Sequence, residues 1–170
     1  AVSCASGTSA ISLLCPTLKI KPGDEVIVPA VSWSTTYYPL HQYGLKVKFV
    51  DIDPDTLNID INAVRQAIGP RTKAILAVNL LGNPCDLTDL KDLATNHSVV
   101  LLEDNCESMG AKVNGKMTGT YGLMGTFSTF FSHHISTMEG GLIVTDNEEL
   151  YHILLSLRSH GWTRNLPNKN

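Results

Sequence analysis

The chain has 170 residues, 43% of them hydrophobic and 17% charged, with 13 glycines, 8 prolines and a formal net charge of −3. That length suits one domain of roughly 100–200 residues, and the apolar fraction supplies a core while excluding collagen, coiled coil and disorder. A pI near 6.0 gives no basic field of the kind that drives nucleic-acid binding, and no apolar run approaches the roughly 20 residues needed to cross a bilayer.

The chain opens almost directly on Ala5-Ser6-Gly7-Thr8-Ser9-Ala10, a turn leading into a helical pattern with no strand expected before it. Apolar runs at 25–28, 46–50, 74–78, 99–103 and 142–145 then read as strands. Their lack of polar alternation predicts a sheet covered on both faces. Residues 34–43, 62–68 and 87–96 carry apolar side chains at helical spacing, with Asp60 and Asp86 placed to cap the second and third. A long helix is expected from Asn147 to about His160, followed by a polar stretch over 165–170. Strand and helix alternate, which predicts an α/β domain with a mainly parallel sheet whose ligands gather at the carboxyl ends of the strands.

Cys4, Cys15, Cys85 and Cys106 are irregularly spaced, without a C-x-x-C pair. They read as reduced core thiols in a cytoplasmic protein. No leader pattern of charged then apolar residues is seen at the start.

Three places could carry chemistry. Ser6-Gly7-Thr8-Ser9 at a helix start is either an ordinary capping turn or a phosphate site, since free N–H groups, hydroxyls and the helix dipole all suit an anion. Asp104 closes a strand, with Glu107 three residues on, so it either caps the next turn or faces a pocket as partner to a protonated ring nitrogen. The run from Phe127 through Ser128 ends in His133-His134, ahead of Glu139-Gly140-Gly141. Adjacent histidines on extended backbone face opposite ways, so no metal site is expected and at least one of them suits acid–base work near neutral pH. Gly119, Gly122 and Gly125 are spaced G-x-x-G-x-x-G, which is not a dinucleotide fingerprint.

Read with segments 22–29, 51–60 and 103–110, the Ser6-Gly7-Thr8 turn and the Glu139-Gly140-Gly141 triplet resemble the DegT/DnrJ/EryC1/StrS sugar aminotransferases. These are pyridoxal-phosphate enzymes of fold type I, the aspartate-aminotransferase-like architecture. The resemblance implies that residues 1–170 form the large, cofactor-binding domain, incomplete, without the family's N-terminal segment and small C-terminal domain. It also implies a homodimer. Most members carry a lysine six residues before Glu-Gly-Gly to bond the cofactor aldehyde, whereas this chain has His133. That substitution resembles the branch that removes the C3 hydroxyl of nucleotide-linked 4-keto-6-deoxyhexoses, with GDP-4-keto-6-deoxymannose the expected substrate, in dideoxysugar and O-antigen biosynthesis.

An imidazole forms no stable Schiff base, so the cofactor stays as pyridoxamine phosphate, and His133 becomes the base and acid of the deoxygenation. Residue by residue, the resemblance gives Asp104 to the pyridine nitrogen, Glu107 to the ring hydroxyl side, Trp33 to the ring face, and Gly7, Thr8 and Ser128 to the phosphate. His160 and Arg164 go to the sugar nucleotide, and glutamate is the implied amine donor. Two alternatives stay open: a truncated, non-catalytic relative, from which the leading reading differs in turnover by the isolated chain, and an ordinary sugar aminotransferase. The latter is disfavoured because no lysine lies between Lys116 and Lys169.

Overall fold

The computed structural model describes residues 1–164 and 166–167, so Asn165 and 168–170 of the expected polar stretch lie outside the described residues. The apolar runs form β2 (Glu25–Pro29), β3 (Lys46–Val50), β4 (Thr72–Val78), β5 (Val100–Asp104) and β9 (Gly141–Val144). Between and after them come α1 (Gly7–Thr17), α2 (Ser34–Gln42), α3 (Ile61–Ala67), α4 (Leu87–Asn96) and α5 (Glu148–Leu157). Asp60 and Asp86 cap α3 and α4 as expected, accepting from the N–H groups of Asn62 at 2.8 Å and Asp89 at 3.2 Å.

Three expectations are corrected. A strand, β1 (Val2–Cys4), does precede the first helix, pairing antiparallel with β9. Three residues are too few to show a period. α5 ends at Leu157 rather than near His160, whose backbone is left-handed at φ 61°. β8 (Met124–Ser128) was not expected at all, because Met-Gly-Thr-Phe-Ser lacks a β-branched apolar run. It is nevertheless wholly buried, and Gly125 is required there since a Cβ would run into the Gly119 backbone. A small hairpin of β6 (Lys112–Val113) and β7 (Lys116–Met117) stands apart.

The seven-stranded sheet has the order β1-β9-β8-β5-β4-β2-β3. β8, β5, β4, β2 and β3 are mutually parallel, and β9 returns antiparallel to β8. Helices cover both faces, and the two-residue period of each strand divides its side chains between them. Val26, Val28, Leu76, Leu102 and Met124 pack with Ile11 and Leu14 of α1, Leu40 of α2 and Leu154 of α5. Ile27, Ile75, Ala77 and Leu101 pack with Val64 of α3 and Leu87, Leu90 and Leu93 of α4. This is why the strands read as unbroken apolar runs. One edge of the sheet therefore collects Pro29, Val78, Asp104 and Ser128 at strand ends. Cys4 reaches the same edge, because it pairs with Gly141, which also faces Ser128.

Candidate functional site

A cleft of about 440 Å³ opens at that edge, within the usual range for a small-molecule site. Its wall includes Ser6, Gly7, Thr8, Trp33, Asp104, Glu107, Ser128 and His133. The six residues expected at the cofactor and the expected base His133 thus come together from distant parts of the chain.

One end is the start of α1. Ser6 caps it by accepting from Ser9 N–H at 3.0 Å, and the first-turn N–H groups have no acceptor within their own helix. Gly7 is required by close approach. A Cβ there would lie 2.7 Å from Ser128 Cβ and 3.0 Å from Cys106 Sγ. The backbone of α1 can therefore come up against β8, with Ser128 Oγ beside it accepting from Phe130 N–H at 3.2 Å. Helix dipole, free N–H groups and two hydroxyls are chemistry that suits an anion.

The floor is Asp104, only 4% exposed. Its Oδ2 accepts from Thr36 Oγ1 at 2.9 Å and its Oδ1 from Cys106 N–H at 3.1 Å. Burial above all, and then the Asp104 charge, push the Cys106 thiol far up, so that side chain stays a neutral wall. Trp33 stands at the N-cap of α2 without a capping bond, 73% exposed, and lines the cleft. Glu107 lines the cleft and also accepts from Leu81 N–H at 2.8 Å, which holds Leu81 in a left-handed conformation with φ 53°.

Residues 129–140 form a turn-rich loop rather than extended chain. Thr129 N–H donates to Gly140 O and Thr137 N–H to Thr129 O, each at 2.9 Å. Within it His133 N–H closes a turn on Phe130 O at 3.0 Å, and its ring meets that of Phe130 edge-on at 6.3 Å. His133 is half-buried and lines the cleft, whereas His134 is exposed and does not. The two histidines still part company, by a turn and not by strand alternation. Among the described residues no group of three His, Cys, Asp or Glu side chains could hold a metal.

His160 and Arg164 do not line the cleft. They lie beyond α5, where the Arg164 guanidinium sits 4.4 Å over the Trp162 ring and His160 meets that ring edge-on. Sequence reasoning passed over Thr36, Ser132 and Glu139. The last two line the cleft from the loop around His133, and their polarity within that motif was the available signal.

A model of the DegT/DnrJ/EryC1/StrS aminotransferase family matches residues 1–170. The GDP-4-keto-6-deoxy-D-mannose 3-dehydratase of Yersinia pseudotuberculosis is 68% identical over 152 residues, 89% of this chain and 39% of that one. The solved E. coli GDP-4-keto-6-deoxy-D-mannose-3-dehydratase with bound hydrated PLP is 62% identical, with a TM-score of 0.94, covering 99% of this chain and 45% of that chain. A GDP-4-keto-6-deoxymannose-3-dehydratase with a trapped PLP-glutamate geminal diamine matches with the same TM-score at 61% identity and the same coverage. The chain spans under half the length of each of these relatives. The sheet between two helical layers is that of the aspartate-aminotransferase-like, fold type I enzymes. Since the family match runs from the first residue to the last and the fold agrees with it at high identity, the chain belongs to the DegT/DnrJ/EryC1/StrS aminotransferase family.

Proposed function

We propose that residues 1–170 form the large, cofactor-binding domain of a pyridoxamine-phosphate-dependent sugar 3-dehydratase acting on GDP-4-keto-6-deoxymannose. The observation that carries this is the wall of the cleft: His133 shares it with Asp104 and the start of α1, and no lysine is among its residues. The site fits the cofactor on its own geometry. Gly7 lets the free N–H groups at the start of α1 come up beside Ser128, where a phosphate would be held, and the buried Asp104 carboxylate lines the same cleft as partner for a protonated nitrogen.

Pyridoxamine phosphate, when bound, supplies an amine for the sugar's C4 ketone and a ring that takes up electron density. Gly7, Thr8 and Ser128 hold the phosphate. Asp104 holds a proton on the ring nitrogen, Trp33 covers the ring face, which adds roughly 0.5–1.5 kcal/mol beyond burial, and Glu107 faces the ring hydroxyl side. His133 takes a proton at an imidazole nitrogen and returns one to the hydroxyl oxygen that leaves C3. Glutamate restores the amine, in keeping with the PLP-glutamate adduct of a relative. His160 and Arg164 contact the sugar nucleotide.

A homodimer suits a surface on which Trp33, which lines the cleft, and Leu81, Phe131 and Met138 are exposed apolar side chains. Four free cysteines suit a cytoplasmic enzyme of dideoxysugar and O-antigen synthesis. No helix among the described residues is long and apolar enough to cross a membrane.

Titration of the protein with pyridoxamine phosphate, read by tryptophan fluorescence, tests the site. Saturable quenching is expected and is expected to vanish in Trp33→Phe. Incubation with substrate and glutamate then separates the readings by mass. A product lighter by one oxygen supports deoxygenation, an amino sugar supports an aminotransferase, and cofactor binding without turnover supports a non-catalytic relative.

A further inference from the structure

Thr36 is 3% exposed and sits in the first turn of α2, three residues after Trp33. Threonines further along a helix commonly spend their proton on the carbonyl four residues back. Thr17 and Thr95 do so, donating to Leu13 O and Lys91 O. Thr36 instead reaches across 68 residues of sequence to Asp104 Oδ2 at 2.9 Å. An ionised carboxylate can only accept, so the single Thr36 proton is committed to Asp104. The 3.2 Å contact between Ser32 Oγ and Thr36 Oγ1 then has Ser32 as donor. Each hydroxyl in this relay polarises the next, and the Cys106 N–H serves the other carboxylate oxygen.

Donors aimed at a carboxylate favour its charged form. Where a carboxylate and a ring nitrogen share one proton, that bias decides which of them carries it. We propose that Thr36, backed by Ser32, is a positioning residue that fixes Asp104 and keeps the shared proton on the ring nitrogen of pyridoxamine phosphate. The inference rests on the cofactor reading above. It also ties ring stacking to ring protonation, because Trp33 and Thr36 are placed by the same helical turn.

The test uses the full-length protein and pyridoxamine phosphate labelled with 15N in the ring, reading the dissociation constant and the ring 15N chemical shift. In Thr36→Val, which keeps the shape and removes the hydroxyl, binding is expected to weaken about tenfold. The resonance is expected to move toward that of neutral pyridine. Thr36→Ser is expected to restore both, and Asp104→Asn to exceed the valine variant in both. If Thr36→Val matches the unaltered protein while Asp104→Asn differs from it, the role of Thr36 is overturned and the cofactor reading stands. If Asp104→Asn changes neither quantity, the reading falls and the proposal with it. Should Thr36→Val not fold, Ser32→Ala decides at a half-buried position: a smaller shift in the same direction supports the relay, and no shift overturns it.

Discussion

Glu103 offers a sharp test of how β5 and β8 are held in register behind the cleft. It is fully buried, and its side chain points away from Asp104, its neighbour on the strand. Oε1 accepts from Tyr121 N–H and Gly122 N–H, both at 2.7 Å, and Oε2 from Gly119 N–H at 2.6 Å. Three donors converge and no lysine or arginine pairs with it among the described ion pairs. Glu103→Gln keeps the shape, so it leaves no cavity. Its carboxamide oxygen still serves Tyr121 and Gly122, but as a neutral acceptor, at a loss of about 1 kcal/mol for each bond. Its NH2 group meets the Gly119 N–H donor to donor and strands it, at about 1–3 kcal/mol. The expected sum is about 3–5 kcal/mol, against a total stability of about 5–15 kcal/mol. At about 2–4 °C per kcal/mol for a domain of this size, the midpoint should fall by roughly 6–20 °C. Thermal and urea unfolding followed by far-ultraviolet circular dichroism measures it. A midpoint within about 2 °C of the unaltered chain would refute the view that these three bonds anchor the 119–122 turn.

Two further outcomes are expected. His133→Lys should let residue 133 be trapped on pyridoxal phosphate by borohydride, because an amine would then stand in the cleft wall where the imidazole stands now; absence of the labelled peptide on mass mapping counts against the assigned position. Cys85 is 2% exposed, and burial pushes its thiol from near 9 to about 12. The unfolded chain therefore loses this proton first, and Cys85 should contribute a fall in stability of about 1.4 kcal/mol per pH unit from about pH 9 toward pH 12, in addition to the falls from the raised Cys15 and Cys106 thiols. Urea unfolding in reductant at pH 8 and pH 10 should show a smaller fall in Cys85→Ser, and an equal fall would show that another group sets the alkaline slope.

The parts of the fold readable in the sequence were those where local pattern and tertiary environment agree. Val26-Ile27-Val28 and Ala74-Ile75-Leu76 are apolar on successive residues because a helical layer covers each face. Asp60 and Asp86 announce helix starts by local bonds spanning two or three residues. β8 escaped notice because its place is fixed by its neighbours and not by its own propensity. Its pairing to β5 and β9 and the tight approach of Gly119 explain a glycine where a strand pattern expects a branched side chain. β1 escaped because its partner lies about 140 residues away in the sequence.

The site divides along the same line. Topology brought Asp104 to the edge where ligands bind, as the last residue of a buried parallel strand, but left open whether it caps the next turn or faces a pocket. Ser6-Gly7-Thr8-Ser9 read equally as a capping turn or an anion site, and Gly7, Thr8, Ser128 and Trp33 were assigned only by likeness to a family. Thr36 belongs to neither kind. Nothing in Trp33-Ser34-Thr35-Thr36 says which hydroxyl turns inward, because that is settled by the angle at which α2 packs against the end of β5. A threonine in the first helical turn has no carbonyl four residues back within its own helix, so its proton is free for a tertiary acceptor. Where such a turn follows an aromatic residue at the helix N-cap, the first-turn hydroxyls are the ones to test against the buried carboxylate. In this chain the rule admits both Thr35 and Thr36, and the packing chooses Thr36, which is buried and bonded to Asp104, over Thr35, which lines the cleft.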